Sequence, residues 1–90
     1  MSTAYTIVFK ETARKDIQKL PPLLQRRIAK KLAYYISQPN PLENAVALRN
    51  PARGGSYRFR VGNYRVVFDI EGVTLVVIYV EHRSEVYKKR

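Results

Sequence analysis

The sequence has no cysteine and no tryptophan, one histidine, one methionine and only seven acidic residues among ninety. Without thiols there is neither a disulfide framework nor a thiolate metal cage, so one modest hydrophobic core must hold the chain. The length bounds the organisation to a single domain over residues 1–90 and argues against a deep pocket for a complex organic cofactor. Long apolar runs are also missing. The longest, Leu75 to Val80, falls far short of the roughly 18 residues of a membrane span. Residues 1–10 have neither the basic n-region nor the apolar stretch of a signal peptide. The expected location is cytoplasmic, which suits a chain without thiols, and no membrane contact is expected.

Acidic residues are scarce relative to basic ones. Seventeen Lys and Arg against seven Asp and Glu leave a formal net charge of +10. Positive surface of this density attracts polyanions: RNA, DNA, anionic membrane or acidic proteins. Solubility alone is the blander explanation. It carries less weight because arginines outnumber lysines ten to seven, and Arg holds phosphate with a bidentate fork where Lys is a hydrated point charge.

Metal and nucleotide-loop chemistry find little support. The carboxylates are scattered, and His82 has no second His or Cys with which to build a ligand set. Gly54-Gly55 precedes a predicted strand rather than a helix, unlike a phosphate-cradling loop. No cofactor is expected.

The hydrophobic pattern predicts an α+β domain: an N-terminal strand, a helical hairpin and an antiparallel C-terminal meander. Tyr5 to Phe9 reads as a strand with Tyr5, Ile7 and Phe9 on one face. Ala13, Ile17 and Leu20 form a helical stripe that stops at Pro21-Pro22, where the second proline can open a new helix. From Leu23 to about Gln38, Leu24, Ile28, Leu32, Tyr35 and Ile36 form a longer stripe, with Arg26, Arg27, Lys30 and Lys31 on its other side. Those four are either a solvated helix face or a docking surface for RNA. Ala45 to Arg49 reads as a short strand and residues 50–55 as a turn or loop. Ser56 to Val61, Tyr64 to Ile70 and Val73 to Val80 read as three strands separated by Gly62-Asn63 and Glu71-Gly72.

A two-residue turn at Gly62-Asn63 fixes which side chains share a face. Val61 then pairs with Tyr64, Arg60 with Arg65, Phe59 with Val66, Arg58 with Val67 and Tyr57 with Phe68. One face carries Tyr57, Phe59, Val61, Tyr64, Val66 and Phe68, ready to be covered by the helices. The other carries Arg58, Arg60 and Arg65. Extending the alternation through the next turn places Leu75 and Val77 on the helix side, and Val76, Ile78, Val80 and His82 on the arginine side. Like charges directly opposed on a sheet destabilise it, so Arg60 facing Arg65 suits a bound anion better than stability alone. The alternative is that these arginines splay into water or guard the sheet against edge pairing.

The run Tyr57-Arg58-Phe59-Arg60-Val61-Gly62-Asn63-Tyr64-Arg65-Val66-Val67-Phe68, a hydrophobic strand, and then His82-Arg83-Ser84-Glu85-Val86-Tyr87 resembles the RelE branch of the RelE/ParE toxin superfamily. The resemblance implies a microbial-RNase-like sheet with helices on one face. It implies a toxin of a type II toxin–antitoxin pair that inhibits translation. The toxin would cleave mRNA in the ribosomal A site by metal-independent attack of a ribose 2′-hydroxyl on the adjacent phosphate. By position, Arg58 and Arg60 match basic cleft residues, often lysines; Arg65 matches the arginine that holds the scissile phosphate. Arg83 matches a second catalytic arginine and Tyr87 the catalytic tyrosine. The implied partners are an acidic, RelB-like antitoxin, the ribosome and its mRNA, and operator DNA reached through the antitoxin. ParE-like relatives share the fold and the arginine-bearing meander, and the alternative function is gyrase inhibition without nuclease activity.

Such a cleavage needs a base for the 2′-hydroxyl, an acid for the departing 5′-oxygen and positive charge for the transition state. Arginines supply the charge but cannot serve as base, since an arginine does not deprotonate in a protein. A lysine at position 60 could take that role; Arg60 cannot. Tyr87 is then the favoured group for positioning or base work, with His82 as a second candidate.

Overall fold

The protein, seen in a computed structural model, is described over residues 5–49 and 54–82. Strand β1 (Thr6–Phe9) passes through Lys10 into helix α1 (Glu11–Gln18). Helix α2 (Pro22–Ile36) opens with Pro22 in its first turn, where the missing N–H has no intrahelical acceptor to lose. It stops at Ile36, slightly earlier than the apolar stripe suggests. Ala13 of α1 and Ile28, Leu32 and Tyr35 of α2 are the helical residues buried against the sheet, in keeping with their spacing. Asn40 Oδ1 then accepts from the Leu42 amide at 3.1 Å, turning the chain into a short 3-10 segment, Pro41–Asn44.

Strands β2 (Val46–Ala47), β3 (Tyr57–Val61), β4 (Tyr64–Glu71) and β5 (Thr74–His82) complete a five-stranded sheet of order β1-β5-β4-β3-β2. The β3-β4-β5 meander is antiparallel, β2 lies antiparallel to β3, and β1 runs parallel to β5, so the sheet is mixed. The helices cover one face, and the fold is α+β. Among the described residues, no helix is long and apolar enough to cross a membrane.

The β3–β4 register matches the expected one at every pair, from Val61 opposite Tyr64 to Tyr57 opposite Phe68. Gly62, at φ +58°, supplies the left-handed residue of that turn. The second hairpin differs. Glu71 pairs with Thr74 across Gly72-Val73, one residue later than expected, and Gly72 at φ +62° is the residue that permits it. Moving the turn by one residue shifts the register by two, so Leu75 and Val77 keep their places on the helix side.

A bulge alters the remainder of β5. Phe68 pairs with Val77 but Val67 pairs with Tyr79, which leaves Ile78 as an extra residue on the strand. Every later β5 side chain is therefore on the face opposite to that given by strict alternation. Val80 joins the core beneath the helices, His82 pairs with Tyr64 on the helix side, and Tyr79 and Glu81 come to the arginine side. The expected placement of Val80 and His82 is thus corrected.

The core is threaded by an aromatic stack. Tyr35 lies 4.2 Å from Phe59, Phe59 lies 4.4 Å from Phe68, and Tyr57 lies 5.7 Å from Phe68 between ring centroids. Among the described residues, two polar contacts tie the helices to the sheet. The Tyr35 hydroxyl donates to the Arg60 carbonyl at 3.3 Å. Past the last β1 partner of β5 at Val77, the Val80 amide donates to Asp16 Oδ2 of α1 at 2.9 Å. That carboxylate gives a strand amide the acceptor that a longer β1 would have supplied.

Candidate functional site

The sheet face away from the helices is built row by row. Arg60 on β3 is directly opposite Arg65 on β4, and Arg65 is directly opposite Glu81 on β5. The next row towards the other end of β4 is Arg58, Val67 and Tyr79. Side chains paired this way project from the same face with Cβ atoms roughly 5 Å apart. Arg60 is exposed, whereas Arg58, Arg65 and Glu81 are half-buried and Tyr79 is buried. Arg65 Nε is buried with no hydrogen-bond partner among the described residues. A buried N–H left in that state is costly to the fold.

The floor of this face is apolar. Val67 and Val76 are buried there, and Gly55 folds down onto it. At φ +91°, a Cβ on Gly55 would fall 2.3 Å from Val67 Cγ1 and 3.7 Å from Ile78 Cδ1. The Gly54-Gly55 segment thus walls the arginine face rather than cradling a phosphate at a helix start. Behind the face, the Tyr35 hydroxyl fixes the Arg60 carbonyl from the helix side, so α2 helps to set the strand that carries Arg58 and Arg60.

The expected site residues divide into four groups. Arg58, Arg60 and Arg65 are brought together on one face. His82 is not with them: its ring stands edge-on to Tyr64 at 4.9 Å, on the helix side of the sheet. Arg83 and Tyr87 lie outside the described residues. Arg26, Arg27, Lys30 and Lys31 are exposed on the outer side of α2, so the basic coat and the arginine face point away from each other. The Lys31 ammonium sits 5.7 Å from the ring centroids of both Tyr34 and Tyr35, and Arg27 borders a small groove with Val61, Asn63, Tyr64 and His82.

Glu81 and Tyr79 are the residues that simple alternation misses. The apolar stretch Val76-Val77-Ile78-Tyr79-Val80 has no polar residue to betray a change of phase. The one available signal is a conflict of parity. Thr74 is polar at an even position and Glu81 charged at an odd one, and a regular strand would turn one of them into the core.

Comparison with known proteins agrees with this fold. Residues 7–87 match the family described as the ParE toxin of type II toxin–antitoxin systems. The chain belongs to the RelE/ParE toxin superfamily. The toxin is 33% identical over 87 residues to Toxin RelG of Mycobacterium tuberculosis, covering 94% of this chain and 98% of the relative. It is 30% identical over 83 residues to Toxin RelE3 of Methanocaldococcus jannaschii, covering 90% and 93%. Among solved structures, it resembles a chain of the toxin–antitoxin complex RelBE2 from Mycobacterium tuberculosis. The TM-score is 0.76 and the identity 31%, over 90% of this chain and 100% of that one.

Proposed function

We propose that this type II toxin is a ribosome-dependent endoribonuclease that cuts mRNA in the A site without a metal. The observation that carries the reading is the direct opposition of Arg60 and Arg65 on the uncovered sheet face, with Arg58 beside them. An opposed cation pair weakens a sheet unless something negative sits between its members, and a phosphodiester fits that description. The ribose 2′-oxygen attacks the neighbouring phosphorus while the arginines hold the non-bridging oxygens and stabilise the charge that builds on them. Arg83 adds a second catalytic cation from beyond the last strand, and Tyr87 serves the proton transfers. With the mRNA already held on the ribosome, the protein supplies only part of the catalysis. The outer face of α2, with Arg26, Arg27, Lys30 and Lys31, docks ribosomal RNA.

The toxin works in the cytoplasm as a single domain. Its partner is an acidic, RelB-like antitoxin whose carboxylates cover the arginine face, and operator DNA is reached through that complex. The RelG and RelE3 relatives favour this reading. A second reading, a gyrase inhibitor that cuts nothing, is favoured by the family match itself, which is described as ParE. Programmed ribosomes incubated with the toxin separate the two. Cut mRNA with unaffected gyrase supports the first, and blocked supercoiling with intact mRNA supports the second.

A further inference from the structure

We infer that Glu81 is the proton acceptor for the attacking 2′-hydroxyl, an inference that rests on the nuclease reading above. Three observations converge on it. The opposed arginines cannot take a proton, and the position where a lysine would serve as base holds Arg60. The imidazole at position 82 is on the wrong face, edge-on to Tyr64. The bulge at Ile78 turns a carboxylate to the arginine side instead, directly across from Arg65. A strand without the bulge would have aimed Glu81 at the helices.

The groups that share its face are Arg65 on β4, Arg60 and Arg58 on β3, and Tyr79 on its own strand. A phosphate held by Arg60 and Arg65 places the adjacent ribose within one strand spacing of either neighbour. On the β5 side that neighbour is Glu81. The carboxylate takes the proton from O2′ as the O2′–P bond forms. The P–O5′ bond then breaks, its electron pair leaving with the 5′-oxygen, which takes a proton from water. The products are a 2′,3′-cyclic phosphate and a free 5′-hydroxyl, and Glu81 releases its proton to solvent.

Single-turnover cleavage on programmed ribosomes tests this with Glu81→Gln, Glu81→Ala and, as control, Glu71→Gln at the exposed far end of β4. Glu81→Gln should lower the rate constant at saturating toxin by about 100-fold or more, the usual reach of general base catalysis. The toxin concentration for half-saturation should stay unchanged, and Glu71→Gln should cut like the wild type. Added formate, compared with chloride at equal ionic strength, should restore cutting by Glu81→Ala in proportion to its concentration. A group that merely positions the arginines would not give that rescue. Undiminished cutting by Glu81→Gln, or a loss in Glu81→Ala that formate does not restore, overturns the assignment while leaving the nuclease reading intact. A wild-type protein that cuts nothing on ribosomes ends both.

Discussion

Arg60 lies directly opposite Arg65 across the β3–β4 hairpin, on the sheet face that the helices leave uncovered. The pair is a structural liability and, in the proposed chemistry, the clamp for the scissile phosphate. Arg65 also carries a buried Nε with no partner among the described residues. Arg65→Met should therefore change the stability of the fold by less than about 1 kcal/mol, since the like-charge contact with Arg60 and the unsatisfied donor that it removes are offset by the loss of the opposite-charge pairing with Glu81. The same change should lower mRNA cutting by roughly 100-fold or more. Urea denaturation beside a cleavage assay checks both; a large loss of stability together with loss of cutting would point to a structural arginine.

Tyr35 should matter to the site without touching it. Its ring stacks on Phe59 and its hydroxyl holds the Arg60 carbonyl. Tyr35→Phe should cost about 1 kcal/mol, the net worth of one hydrogen bond. Tyr35→Ala, which also empties a core position, should cost about 3–5 kcal/mol. Thermal unfolding of the two variants separates the hydroxyl from the ring.

Gly54 and Gly55 are both left-handed, at φ +87° and +91°, but their surroundings differ. A Cβ at Gly54 meets nothing within 4 Å, whereas one at Gly55 would fall 2.3 Å from Val67 Cγ1. Gly54→Ala should cost about 1–2 kcal/mol from backbone conformation alone. Gly55→Ala should cost roughly 1–3 kcal/mol more through overpacking against Val67. Equal unfolding midpoints for the two would show that the segment does not rest on the sheet.

Much of this architecture is legible in the sequence. The apolar stripes name Ala13, Ile28, Leu32 and Tyr35 as the helix residues that reach the core, and they do. The Gly62-Asn63 turn fixes the β3–β4 register because a two-residue connection leaves only one pairing, so the three arginines fall on one face as expected. What pattern alone misses is geometry that leaves no trace in polarity. The Ile78 bulge lies inside an apolar run, and it exchanges the faces of Val80, His82, Tyr79 and Glu81. The parallel pairing of β1 with β5 is likewise a tertiary choice, between strands at the two ends of the described chain that no turn connects.

The basic face of α2 should act through charge and not through shape. Arg26, Arg27, Lys30 and Lys31 are all exposed, so changing all four to Gln should leave the fold intact. Ribosome binding measured across a salt series should weaken and lose part of its slope, by about 0.7 for each phosphate contact removed. An unchanged slope with undiminished cutting would show that these four are a solvated face.

The central claim is that the arginine face holds an mRNA phosphate for cleavage on the ribosome. The most direct measurement is a nucleotide-resolution map of mRNA cut by the purified toxin, on ribosomes with a defined A-site codon and on the same RNA alone. The account predicts cuts within the A-site codon of ribosome-bound mRNA, naked RNA left nearly intact, and no cuts with Arg65→Ala. Intact mRNA on programmed ribosomes at saturating toxin would contradict it.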